Sequence, residues 1–307
     1  MKSKIYRSPL FYVGDKSKLI GEIREYFPQN INKFIEPFTG GGSVFLNVNA
    51  NKYILNDIDA KVYELHKFLE SQKKSVEEFI KEIEKVIDEY KLSKSFKEDI
   101  VPKKLKAQWE KTYYAKFNKK GFDKLKSDYN SGKKKSPLYL YVLLIFGFNR
   151  MLRFNASGKY NLPVGNVDFN KNVLSALNDY FILVNSKKIE WRNLDYLKFI
   201  KGLSIGKSDF VYLDPPYLIT FSEYNKLWND SKELELLNAL DKLNKRGIKF
   251  AISNVTHYKG KTNKLFLKWC KNYNVYSIKS NYISYHDNSV KNFKEVLVTN
   301  YGKRIKL

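Results

Sequence analysis

Apolar positions along this 307-residue chain follow two rhythms. Short apolar runs flanked by polar or turn residues predict strands over residues 33–37, 53–55, 209–213, 249–253 and 295–299. Helical spacing predicts helices over 43–49, 75–91, 232–246 and 263–271. The second is marked by Val76, Phe79, Ile80, Ile83, Ile87 and Tyr90, and Gly247 stops the third. Residues 136–148 are largely apolar and aromatic and predict a buried segment. No internal repeat or low-complexity linker divides the chain. Strands alternating with helices at both ends imply an α/β fold with a mostly parallel sheet, which takes ligands at its strand C-termini.

The middle of the chain breaks that rhythm. Lysines crowd residues 91–135, interleaved with Trp109, Tyr113, Tyr114 and Phe117. Such a stretch reads either as a solvated helical face or as a module inserted between two α/β portions, and its position favours the insert. Over the whole chain 56 Lys and Arg face 32 Asp and Glu, a net charge of +24. A nucleotide bias toward Lys, Asn, Ile and Tyr codons would raise Asp and Glu as well, so it explains the imbalance poorly. A polyanionic partner explains it better, because each phosphate contact releases counterions. Nucleic acid comes first, with the ribosome or an anionic membrane surface as alternatives.

Composition excludes several classes. An apolar fraction of 43% suits a globular core. No apolar run reaches the roughly 18 residues of a membrane span, and the opening residues lack a secretory core, so a cytoplasmic protein is expected. A single cysteine, Cys270, rules out an internal disulfide. One Cys and three His leave no structural zinc set, and no metal is expected.

Two motifs carry chemistry. Asp214-Pro215-Pro216-Tyr217 follows the strand at 209–213. An exocyclic amino group on a base is a poor nucleophile because its lone pair is delocalised into the ring. Two acceptors on its hydrogens, the Asp214 carboxylate and the Pro215 carbonyl, can favour a pyramidal nitrogen. Two prolines stiffen the loop, and Tyr217 offers a face on which an extruded base can stack. The competing reading is a plain strand-ending turn. The second motif is Glu36-Pro37-Phe38-Thr39-Gly40-Gly41-Gly42, where glycines allow close backbone approach to a ligand. Asp57 lies where an acidic side chain can bind ribose hydroxyls. A phosphate-binding GxxxxGK is missing, which favours a nucleoside cofactor over ATP.

The order of glycine motif, acidic residue, insert and DPPY resembles the alpha-group, Dam-like DNA adenine methyltransferases over nearly the whole chain. The resemblance implies a Rossmann-like, mostly parallel sheet domain from residues 1–65 and 171–307, with a largely helical target-recognition insert at 66–170. It also implies S-adenosylmethionine as methyl donor, bound through Tyr12, Lys16, Glu36, Pro37, Phe38, Gly40, Gly42, Asp57, Asp195 and Asp214. Catalysis would rest on Asp214 to Tyr217, acting on the 6-amino group of adenine without a covalent enzyme intermediate. Phe221 and Tyr224 would sit in a loop over the flipped base. A hairpin spanning 148–165 would enter duplex DNA, with Asn149, Arg150, Met151, Arg153, Asn155 and Pro163 as contacts and Met151 as an apolar wedge. A monomer or weak dimer with a cognate restriction endonuclease as candidate partner completes the expectation.

There are departures. Phe11 stands where members that read GATC carry lysine, and Asn166 stands where they are often basic. The run from Gly247 to Trp269 looks more like the companion methylases of asymmetric-site enzymes such as FokI. An RNA or protein-amide methyltransferase, or a decayed DNA-binding module, are the alternatives. Cytosine-carbon methylation needs an attacking thiolate, and Cys270 sits inside the helix at 263–271. His66, His257 and His286 suggest no triad.

Overall fold

In the computed structural model, residues 4–72, 75–220, 228–279 and 293–302 are described. They divide into two compact units. One comprises Met1–Asp15, Gly40–Leu46 and Asp59–Lys187; the other comprises Lys16–Thr39, Asn47–Ile58 and Lys188–Leu307. The positions 66 and 170, expected to bound the insert, both fall inside the 59–187 span.

The second unit holds the sheet and the short helix α1 (Ile20–Ile23). Its strands are β1 (Lys33–Glu36), β2 (Lys52–Asn56), β3 (Ile189–Arg192), β4 (Phe210–Leu213), β5 (Lys249–Tyr258), β6 (Lys261–Thr262), β7 (Asn274–Ile278) and β8 (Lys294–Thr299). The order is β3-β2-β1-β4-β5-β8-β7, with β6 a short hairpin partner of β5. Strands β1 to β5 pair in parallel, and β8 runs antiparallel between β5 and β7. This is the Rossmann-like, mostly parallel α/β sheet expected. The order reverses beside β1, where β2 lies on one side and β4 on the other. Ligands of such sheets bind beyond the strand C-termini at that switch point.

The strand sequences explain the layering, since successive side chains point to opposite faces. Ile35, Ile54, Val211, Leu213 and Ile252 join one core with Leu236, Leu240, Phe266 and Trp269. Those four come from helices α9 (Asp230–Lys245) and α10 (Lys264–Cys270). The alternate positions, Phe34, Tyr53, Phe210 and Tyr212, build an aromatic layer with Phe27. Burial on both faces explains why β4 reads as an unbroken apolar run.

The first unit is helical: α2 (Ala60–Ser71), α3 (Val76–Glu89), α4 (Lys103–Gln108), α5 (Tyr113–Asn130), α6 (Pro137–Phe146) and α7 (Lys171–Ser186). Every residue of α6 from Leu140 to Phe146 is buried, and Pro137 opens it at the position where a missing N–H costs nothing. Phe79 of α3 packs edge-on against Phe181 of α7. The helix expected over 43–49 is only a 3₁₀ turn, Phe45–Asn47. Seven residues barely support two turns, and Asn47 and Asn49 favour turn conformations. None of the described helices is long and apolar enough to cross a membrane.

Candidate active site

Strand β4 delivers Asp214 to the C-terminal edge of the sheet, next to the switch point. Lys16 Nζ lies 2.7 Å from Asp214 Oδ2 and 3.7 Å from Glu295 Oε1. The Tyr217 hydroxyl donates to Asp214 Oδ1 at 2.9 Å and lies 3.0 Å from Glu295 Oε1. Lys16 Nζ also sits 5.2 Å from the centroid of the Tyr217 ring. Lysine and the two acids are largely withdrawn from water, with side chains 3%, 18% and 0% exposed for Lys16, Asp214 and Glu295.

Charge explains this cluster. Burial alone would push the Lys16 ammonium down, but the carboxylates of Asp214 and Glu295 hold it well above the usual lysine value. Burial pushes the Glu295 carboxyl up, Lys16 opposes that shift, and Asp214 adds to it. Burial, then Asp214 and Glu295, raise the Tyr217 phenol far above its ordinary range, so the hydroxyl keeps its proton. One hydroxyl proton thus serves two carboxylates, which fixes the ring and the Asp214 oxygens relative to each other. Pro215 and Pro216 supply no N–H of their own.

Beside β4, the ends of β1, β2 and β3 are tied together by Asn56, a residue that sequence reasoning passed over. Its Nδ2 donates to the carbonyls of Pro37 and Leu194, and its Oδ1 accepts from the Leu194 amide. Glu36 is buried at the end of β1. Asp57 follows β2 and is half-buried, and Asn193 Nδ2 donates to its carbonyl at 2.7 Å. Ile58 and Leu194 are exposed apolar side chains just past β2 and β3, at 66% and 42%. Asp195 caps helix α8 (Tyr196–Lys201) by accepting from the amides of Leu197 and Lys198. Phe38 packs against Tyr196 and Trp228. Trp228 in turn donates to Glu233, a buried carboxylate that also accepts from Asn254 and Asn263.

Tyr12, Gly40 and Gly42 belong to the first unit. Gly42 has φ +80°, and a Cβ there would stand 2.5 Å from Phe45 Cε1 and 3.0 Å from His66 Cε1. Only glycine fits that turn. His66 is fully buried beneath it, with Nε2 2.8 Å from the Gly40 carbonyl, and burial lowers its imidazole to about 4. The sequence marked His66 only as belonging to no triad; its role is to anchor the glycine turn.

The segment 147–165 forms the hairpin that the resemblance implied. Phe148 N donates to Pro163 O, Asn161 N to Arg153 O, and Asn155 N to Lys159 O. Asn155 Oδ1 accepts from the amides of Ser157 and Lys159 and so shapes the tip. Arg153 is bound within the hairpin to Asn161. Asn149, Asn155 and Pro163 are exposed, Met151 is half-buried, and Arg150 turns onto the Phe11 ring. Phe221 and Tyr224 lie outside the described residues. Among the described residues no group of three or more His, Cys, Asp or Glu could hold a metal.

Comparison with known proteins agrees with this geometry. The chain is 36% identical over 309 residues to the modification methylase StsI of Streptococcus sanguinis, covering 97% of this chain and 43% of that protein. It is 38% identical over 305 residues to the type II methyltransferase M.FokI of Planomicrobium okeanokoites, covering 96% and 43%. The DNA adenine methylase of Haemophilus influenzae is more distant, at 28% over 226 residues, with 73% and 69% covered. The chain therefore spans less than half the length of the first two relatives. The nearer kinship to the FokI type, expected from Phe11 and the 247–269 run, is met. Residues 12–283 match a family described as D12 class N6 adenine-specific DNA methyltransferase, and the chain belongs to that family.

Proposed function

We propose that the protein transfers a methyl group from S-adenosylmethionine to the 6-amino group of adenine in duplex DNA, as the modification half of a restriction-modification system in the bacterial cytoplasm. The observation that carries this is Asp214. It stands at the tip of a central strand with both oxygens oriented, Oδ2 by Lys16 and Oδ1 by Tyr217. A carboxylate so held, followed by a rigid Pro215 carbonyl, gives two acceptors at fixed separation. Adenine's amino hydrogens would bond to both, and the nitrogen lone pair would then turn out of the ring plane toward the methyl carbon. The nitrogen forms the new N–C bond and sheds one proton, for which the Asp214 carboxylate is the nearest acceptor. Tyr217, tethered through its hydroxyl, keeps a flat ring beside these acceptors for the extruded base.

S-adenosylmethionine, when bound, supplies a methyl carbon activated by a cationic sulfur that leaves with the bonding pair. The strand ends suit that molecule. Asp57 would meet the ribose hydroxyls, and the buried Glu36 an ammonium. The exposed Ile58 and Leu194 would offer apolar flanks to an adenine ring, with Asp195 and Phe38 as further contacts. Lys16 acts here by orienting Asp214, in addition to any contact with the donor. The hairpin contacts Asn149, Met151, Arg153, Asn155 and Pro163 are proposed to meet the duplex.

Long-read sequencing of plasmid DNA from cells expressing the chain tests the reading. N6-methyladenine in one sequence context is expected, and it should disappear in Asp214→Ala while the variant stays folded. Methylation retained in that variant, or modification of RNA or protein with unmodified DNA, would refute it.

A further inference from the structure

Among the described residues five non-glycines have a left-handed backbone: Phe11 (φ 49°), Lys91, Asn149 (φ 52°), Arg150 (φ 50°) and Lys259. Phe11, Asn149 and Arg150 meet at one place in the first unit. The Phe11 ring centroid lies 4.6 Å from the Arg7 guanidinium carbon and 4.1 Å from that of Arg150. Phe11 is buried, Arg150 half-buried and Arg7 exposed. Arg150 Nε is shielded from water with no hydrogen-bond partner among the described residues. No carboxylate among them lies within ion-pairing distance of either guanidinium, whereas Arg153 on the same hairpin is satisfied by Asn161.

Such an arrangement opposes folding. Burial lowers the Arg150 pKa to about 10; nearby Tyr141 and, more weakly, Asp168 pull it up, while Arg7 pushes it down. Glycine would carry the positive φ at 150 without strain. An arginine there serves neither the backbone nor the local charge balance, and strain of this kind persists where it has a use. The missing component is an anion. Phe11 spaces two guanidinium groups, and planar guanidinium forks match phosphate oxygens.

We propose that Arg7 and Arg150, spaced by Phe11, form a clamp for a backbone phosphodiester of the DNA substrate. The proposal rests on the DNA-methyltransferase reading above. It assigns a phosphate contact to a residue, Arg7, that no motif marks, and it gives Arg150, expected only as a DNA contact, a specific role in holding the backbone.

The test compares wild type with Arg150→Gly and Arg7→Ala by equilibrium unfolding and by duplex binding across a salt series. Arg150→Gly is expected to be at least as stable as wild type, because it removes both the strain and the buried charge. Its duplex affinity should fall about tenfold, the size of one charged hydrogen bond. The slope of log K against log salt should become shallower by about 0.9, one phosphate's worth. Arg7→Ala should change the slope in the same direction. A destabilised Arg150→Gly with wild-type affinity and slope would overturn the clamp and make Arg150 a packing residue. Inorganic phosphate that stabilises wild type but not Arg150→Gly, with the DNA slope unchanged, would reassign the site to a free anion and overturn it equally. If wild type fails to bind duplex DNA, the functional reading falls too; if binding and methylation persist in both variants with an unaltered slope, the clamp alone falls.

Discussion

Replacing Lys16 by methionine removes the only described cation within 4 Å of Asp214 and Glu295 while keeping the side chain's length and apolar packing. Breaking a buried ion pair by deleting one partner typically costs about 3–5 kcal/mol. Asp214 is partly solvated, so the lower end applies, about 3 kcal/mol near neutral pH. The cost should depend on pH in a definite direction. The Glu295 carboxyl lies above its usual value in the folded protein because of burial, and Lys16 is what limits that rise. Below the unfolded value of about 4.5 the group is protonated in both states and contributes no slope. As pH rises from there through the folded value, the folded state holds the extra proton and stability is lost. Without Lys16 the folded value climbs further, so the loss is larger, by about 1.4 kcal/mol for each further unit. Urea unfolding of wild type and Lys16→Met from pH 4.5 to 8 should therefore show a gap that opens with pH. Adding Glu295→Gln to Lys16→Met should close part of it, since a neutral amide needs no counter-charge. A gap constant across that range, or no recovery in the double variant, would refute the view that Lys16 is there to balance the two acids.

Two further outcomes concern the glycine turn. His66 is held neutral by burial at about 4, so the unfolded chain binds its proton first as pH falls. Wild type should lose about 3 kcal/mol between pH 6.5 and 4 from this group and nothing further below, and His66→Gln should flatten that decline in urea titrations. Gly42→Ala should destabilise by on the order of 2 kcal/mol, because the new methyl meets Phe45 and the backbone has φ +80°. A thermal scan in which the alanine variant melts with wild type would contradict that reading of the turn.

Local chemistry was enough to recover much of this protein from its residues. The run Phe210-Val-Tyr-Leu is apolar on both faces because β4 is covered on both sides, so it announced a central strand and put Asp214 at its tip. The DPPY and glycine segments are contiguous, which is why they could be read and why the family could be recognised. Helix α5 was hidden under its lysines, although its buried Phe122, Leu125 and Tyr129 keep helical spacing. Strand β3 was hidden because Ile189-Glu-Trp-Arg sits at the sheet edge and buries only Trp191. What only the tertiary structure decided is the set of partners that act on those motifs. Lys16, Asp214 and Glu295 come from distant parts of the chain, and their meeting depends on β8 inserting antiparallel between β5 and β7. His66 beneath Gly40, and two arginines sharing Phe11, likewise depend on how helices and hairpin pack. Burial, and the charge balance that burial enforces, belong to the folded neighbourhood and leave no trace in the order of residues.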